Sequence, residues 1–157
     1  MAAPLDRLDK DLIRLLQDDG RVPTARLAEQ LAVTTPTIRS RLKTLMQKGI
    51  LRVAGMVNQQ RTPGLSTALI GINIESQGKL AEQLQVLTAL PQVHWAAVVT
   101  GRYDIIAEVA LTGGVEDLFN FTSRVLPAIG RVTHSETFVV MRASNKWLCM
   151  PGGLEQW

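Results

Sequence analysis

The stretch Thr35-Pro36-Thr37-Ile38-Arg39-Ser40-Arg41-Leu42-Lys43-Thr44-Leu45-Met46-Gln47-Lys48 decides how the first third of this 157-residue chain is read. Thr35 suits an N-cap and Pro36 the N1 position, where a missing N–H costs nothing, so a helix is expected over residues 35–48 with Gly49 ending it. Ile38, Leu42, Leu45 and Met46 repeat at i, i+4, i+7 and i+8 and form one apolar stripe. At about 100° per residue, Thr37, Ser40, Lys43, Thr44 and Gln47 lie opposite that stripe, with Arg39 and Arg41 on its flanks. Short hydroxyl side chains allow a backbone to approach base edges, while flanking cations meet phosphates, so this is the face a major-groove helix needs.

Two further helices precede it. Asp6 suits an N-cap, and Leu8, Leu12, Leu15 and Leu16 form a stripe that Asp18-Asp19-Gly20 should close. Pro23-Thr24 opens a short second helix with Leu27, Ala28 and Leu31 inward, and Ala32-Val33-Thr34 breaks it. A tight connection between the second and third helices is the helix-turn-helix arrangement, and it directs the function reading to double-stranded DNA. Charge agrees: residues 1–61 hold eleven Lys and Arg against six Asp and Glu, whereas the rest holds six against eight. Within residues 36–52 stand Arg39, Arg41, Lys43, Lys48 and Arg52 and no acid. Arg41 is expected at a phosphate, so its removal should flatten the salt dependence of binding by roughly one unit. The run Ile50 to Val57 reads as an extended linker in preference to a wing.

Residues 59–66, with Pro63 and Gly64, mark the expected boundary, which divides the chain into a DNA-binding part at 1–58 and a second domain at 64–157. There Ala68, Ile70, Ile72 and Ile74 alternate as in a strand; Leu80, Leu84 and Leu87 are helical up to Pro91. Val93, Trp95, Ala97 and Val99 alternate again, as do Ile105, Ala107, Val109 and Leu111 after a turn at Gly101. Val115, Leu118, Phe119, Thr122, Val125 and Leu126 take helical spacing, and a last strand is expected over 131–142. Strand, helix, strand, strand, helix, strand is the ferredoxin-like βαββαβ order, which makes the chain an α+β protein. Its strands carry apolar residues on both faces although the two helices cover one, so self-association through the sheet is expected.

No apolar run reaches the roughly 18 residues of a membrane span, and the N-terminus has no apolar leader. With the single cysteine Cys149 there is no intrachain disulfide, which fits a cytoplasmic protein. His94 and His134 lack companions at metal-ligand spacing and read as structural or surface residues; Cys149 reads as a bystander thiol. No metal, cofactor or catalytic residue is expected.

Taken together, these residues resemble the Lrp/AsnC (leucine-responsive and asparagine regulator) family of transcription regulators. The resemblance rests on Leu5-Asp6-x-x-Asp9, Asp19-Gly20-Arg21, Leu27-Ala28, Thr35-Pro36-Thr37-Ile38-x-x-Arg41-x-x-x-Leu45, Gly49-Ile50-Leu51 and Val99-Thr100-Gly101-Arg102-Tyr103-Asp104. It implies dimers, often assembled into octamers, and a small effector, typically an amino acid, held near the Gly101 turn. Thr100, Gly101, Arg102, Tyr103 and Asp104 would then line the effector site. Backbone N–H groups beside Gly101 could meet a carboxylate, Asp104 an ammonium, and Thr133, Ser135 and Thr137 could add hydroxyls. Some tetrapyrrole decarboxylases resemble this family too, and a ligand-binding scaffold is the other rival. The tail at 147–157, including Gly152-Gly153 and Trp157, matches no family pattern.

Overall fold

The computed structural model describes residues 5–75 and 77–148, so Cys149, Gly152, Gly153 and Trp157 lie outside the described residues. The chain divides into two compact units at Gly55/Met56.

The first unit contains α1 (Arg7–Asp18), α2 (Thr24–Gln30) and α3 (Thr35–Gln47). Asp6 caps α1 by accepting from the Asp9 N–H at 2.8 Å. Leu12, Leu27, Ala28, Ile38 and Leu45 form the buried core, so one stripe from each helix meets in the centre. Three expectations change. The cap of α3 is Thr34, whose hydroxyl accepts from Thr37 N–H, and this moves Thr35 to N1 and Pro36 to the next position. Met46 is 45% exposed and lies outside the stripe. Gly20 does not close α1 in a left-handed conformation; Asp19 leaves the helix extended (φ −145°), and a Cβ on Gly20 would come within 3.1 Å of the Val53 side chain. Gly49 does close α3 (φ +66°), donating to Met46 while Ile50 donates to Leu45, the paired bonds of a Schellman motif.

The second unit contains β1 (Val57–Asn58), β2 (Ser66–Ile74), α4 (Leu80–Thr88), β3 (Val93–Val98), β4 (Ile105–Leu111), α5 (Gly114–Asn120), α6 (Leu126–Ala128), β5 (Val132–Val139) and β6 (Trp147–Leu148). Four strands form an antiparallel sheet in the order β3-β4-β2-β5, the βαββαβ topology expected. On one face Ala68, Ile70, Ile72, Ile105, Ala107 and Val109 pack with Leu87, Phe121 and Leu126 from the helices.

A π-helical stretch, Phe121–Val125, joins α5 to α6. Phe121 is buried, while Val115 (83% exposed) and Phe119 (67%), both on α5, point away, contrary to the simple helical spacing. A register shift between Val93 and Trp95 likewise pairs Val93 with Val109 but Trp95 with Glu108, so the alternation expected through β3 breaks there.

The other sheet face is partly covered by the chain itself. β1 and β6 pair antiparallel, with Val57 opposite Leu148 and Asn58 opposite Trp147. Leu148, Leu65 and Val57 pack around Ala110, and buried Thr67 donates to Gln59 at 2.7 Å. The boundary expected at 59–66 is therefore interior to this unit, because Val57 and Asn58 are strand partners of Leu148 and Trp147 and not linker.

Candidate DNA-binding face and effector site

Thr34 hands α3 to the core through Ile38 and Leu45, and this fixes which residues are left outside. Arg39, Ser40, Lys43, Thr44 and Gln47 are exposed, and Thr35 and Thr37 are half-buried. Two hydroxyls are already committed: Thr37 shares a 2.8 Å bond with Thr34, and Thr44 donates to the Ser40 carbonyl at 3.0 Å. A Thr44 hydroxyl that has donated can only accept from a base, or present its methyl group.

Arg41 does not stand free on the flank. Its guanidinium reaches back to α1, 2.6 Å from an Asp6 carboxylate oxygen, and donates to both oxygens of Asp9 at 3.3 and 3.4 Å. The Asp9 N–H and then Arg41 hold the Asp6 carboxyl below the usual aspartate range, and Asp6 in turn pushes the Arg41 guanidinium up.

The turn between β3 and β4, residues 99–104, is pinned to β2. Asp104 N–H donates to the Ile72 carbonyl, Asp104 Oδ2 accepts from Ile74 N–H at 3.0 Å, and Asn73 Nδ2 donates to the Arg102 carbonyl at 2.9 Å. One Asp104 oxygen thus holds backbone in place. Thr100, Gly101 and Arg102 are exposed. The Tyr103 ring lies flat on Gly71, where any Cβ would come within 2.6 Å of ring carbons, so only glycine gives the ring this seat. Its hydroxyl donates to Glu136, and this bond raises the phenol above its usual range. Arg102 stands 3.6 Å from Glu136 and 5.6 Å from the Tyr103 ring centre.

Register separates the remaining candidates. Thr137 and Ser135 pair with Ile70 and Ile72 on the helix-covered face, whereas Glu136 pairs with Gly71 on the other. Ser135 and Thr137 therefore do not join Arg102 and Tyr103, and Thr133 donates to the Asn73 carbonyl. Glu136, which meets Tyr103 and Arg102, is the member of this cluster that sequence reasoning missed; its position between two hydroxyl residues on an alternating strand was the available signal. His94, with Trp95 Nε1, meets Glu108 Oε2 at 2.9 Å, and Lys146 pairs with the same carboxylate. Burial lowers the Lys146 pKa. Among the described residues, no group of three metal-ligating side chains occurs, and no helix is long and apolar enough to cross a membrane.

The two units each match a known family. Residues 5–52 match a family described as winged helix-turn-helix DNA-binding, and residues 67–146 match the Lrp/AsnC ligand binding domain. A helix-turn-helix type transcriptional regulator of Pyrococcus abyssi is 33% identical over 139 residues, covering 87% of this chain and 92% of that protein. The regulatory protein AsnC of Haemophilus influenzae is 27% identical over 139 residues, covering 88% and 92%. The solved structure of Escherichia coli AsnC superposes with a TM-score of 0.75 at 25% identity, over 95% of this chain and 100% of that one. A Neisseria meningitidis transcriptional regulator in complex with L-Met shares the fold, with a TM-score of 0.74 at 21% identity over 94% and 96%. The chain is a helix-turn-helix DNA-binding regulator with a ligand-binding domain. It belongs to the Lrp/AsnC family of transcriptional regulators.

Proposed function

We propose that this regulator reads double-stranded DNA with the outer face of α3 and that an amino acid bound at the 99–104 turn adjusts that binding. The observation carrying the first half is the exposed, acid-free face of α3. There Ser40, Thr44 and Gln47 face the bases and Arg39 and Lys43 the phosphates on either side. The second half rests on opposite charges set side by side: Arg102 for a carboxylate and Glu136 for an ammonium, with Tyr103 between them. Asp104 serves the turn, and Glu136 takes the ammonium role. That a protein of the same fold is known in complex with L-Met supports this ligand class. The role is regulatory and not catalytic, and the protein acts in the cytoplasm.

Self-association completes the reading. Beyond the part under β1 and β6, the helix-free sheet face presents Leu69, Ile106, Ala97, Trp95 and Phe138 half-buried or exposed. A second copy seated there buries that surface and places two α3 helices for a two-fold operator, with higher assemblies built from such dimers.

The deciding experiment is a thermal-shift screen of the twenty amino acids on the full chain, run beside genomic footprinting and light scattering. A protected palindromic site, a dimer or larger species, and a stabilising amino acid that Glu136→Gln no longer answers are expected. An amino acid that stabilises wild type and Glu136→Gln equally places the ligand elsewhere, and a monomer at micromolar concentration removes the sheet interface.

A further inference from the structure

Arg41 lies on the DNA-facing helix yet spends its guanidinium inward. Asp9 is a buried residue on α1, and an ionised carboxylate withdrawn from water needs a cation or several donors. Arg41, 32 positions along the chain, supplies two N–H contacts to it. Asp6 is bound at both ends: one oxygen caps α1 through the Asp9 N–H, the other takes the same guanidinium at 2.6 Å. The cap of the first helix and the middle of the third are thus joined through one side chain. The cluster borders a cavity of about 140 Å³ that Thr44 and Lys48 also line, directly beside the exposed face of α3. Two carboxylates on one guanidinium leave the cluster net negative. Swinging Arg41 out to a phosphate would leave Asp6 and the buried Asp9 without their cation.

We propose that Arg41 is a positioning residue for DNA recognition: by bridging Asp6 and Asp9 it fixes how α3 projects from the three-helix core, and it leaves the phosphates to Arg39 and Lys43. This rests on the reading that the outer face of α3 meets DNA. It reverses the expectation drawn from charge and register alone, and the reversal is measurable. A residue that meets a phosphate weakens binding to every sequence alike and lowers the salt slope. A residue that sets the helix's projection weakens the specific sequence more and leaves the slope as it was.

The test is fluorescence anisotropy with the full chain across a salt series, on a duplex recovered by footprinting and on a scrambled duplex of equal length. Arg41→Gln is expected to reduce the specific-to-scrambled affinity ratio with an unchanged slope, and Asp9→Asn to do the same. Lys43→Gln is expected to lower the slope by about 0.9 on both duplexes. The proposal is overturned by Arg41→Gln lowering the slope by that amount with equal loss on both duplexes. Tighter binding by Asp9→Asn, the signature of a released phosphate contact, overturns it as well. Should Arg41→Gln fail to fold, Arg41→Lys decides: it keeps the charge, so an undiminished ratio overturns the proposal and a reduced ratio at constant slope supports it. If neither Lys43→Gln nor Arg39→Gln moves the slope, the DNA-facing reading of α3 fails and takes the proposal with it, a pattern distinct from a slope change confined to Arg41.

Discussion

The outer face of α3 and the Tyr103 site on the sheet are built in opposite ways. The helix face is local: the side chains proposed to read DNA and the cations beside them fall within thirteen consecutive residues, Thr35–Gln47, and a single periodicity sorts them. The sheet site is assembled from Gly71, the 99–104 turn and Glu136, with Tyr103 and Glu136 33 positions apart. A local face tolerates single exchanges and loses function residue by residue. An assembled site depends on what holds its distant parts in register, so its sensitive positions lie beneath the proposed ligand surface as well as on it.

The largest expected effect tests that dependence. Glu108 has a side chain only 3% exposed and serves Lys146, His94 and Trp95 together. Glu108→Ala leaves a half-buried cation unpaired, so calorimetry should show the unit from Met56 onward destabilised by about 3 kcal/mol, with the salt slope of DNA binding unchanged. A loss under about 1 kcal/mol would mean the buried cluster is not what holds this face together. Next, Gly71→Ala drives a methyl group into the Tyr103 ring, for about 2 kcal/mol in stability. Tyr103 is the chain's single tyrosine, so ultraviolet titration reports it alone. Its ionisation should fall back from above the ordinary range as the bond to Glu136 opens; an unmoved titration would show that the ring finds another seat.

On the helix side the effects are smaller and separable. Ser40→Ala should change preference at one base pair by about 1.5 kcal/mol, read as a shift in the selected operator sequence, without altering stability. Loss spread evenly over all sequences would mark Ser40 as a backbone contact. Smallest is Ala32, held at φ +53° in the turn between α2 and α3. Ala32→Gly should raise thermal stability by about 1 kcal/mol and leave both DNA preference and effector response alone. A destabilised variant would show that the Ala32 side chain contributes packing that outweighs its backbone cost.

The same contrast explains what could be read from the sequence. Helix periodicity placed Leu12, Leu27, Ile38 and Leu45 in the first core, and strand alternation placed Ile70, Ile72, Ala107 and Val109 in the second. Periodicity misled wherever the backbone departs from its ideal period. The helix after Gly114 leaves Val115 and Phe119 outward and continues as a π-helical stretch from Phe121, and the shift between Val93 and Trp95 broke the alternation of β3. Charge counting identified Arg41 as a cation but could not see Asp6 and Asp9 folding onto it from α1. Ser135 and Thr137 were expected beside the 99–104 turn for their hydroxyls, while the strand's pleat places Glu136 beside Tyr103 instead. Cross-chain partners, more than element types, were what one-dimensional spacing left hidden.

The two-residue pairing of β1 with β6 has a topological meaning. With Val57 opposite Leu148, the described part of the ligand-binding unit opens and closes at a single ladder, with these two residues about 5 Å apart. The fold is in that respect a closed circuit, which could be opened at an exposed turn and joined at the ladder without threading any strand differently. It also makes the seam a common anchor: the strand that follows the DNA-binding unit and the strand that precedes the chain's last residues share the same hydrogen bonds. A change that loosens either end loosens both.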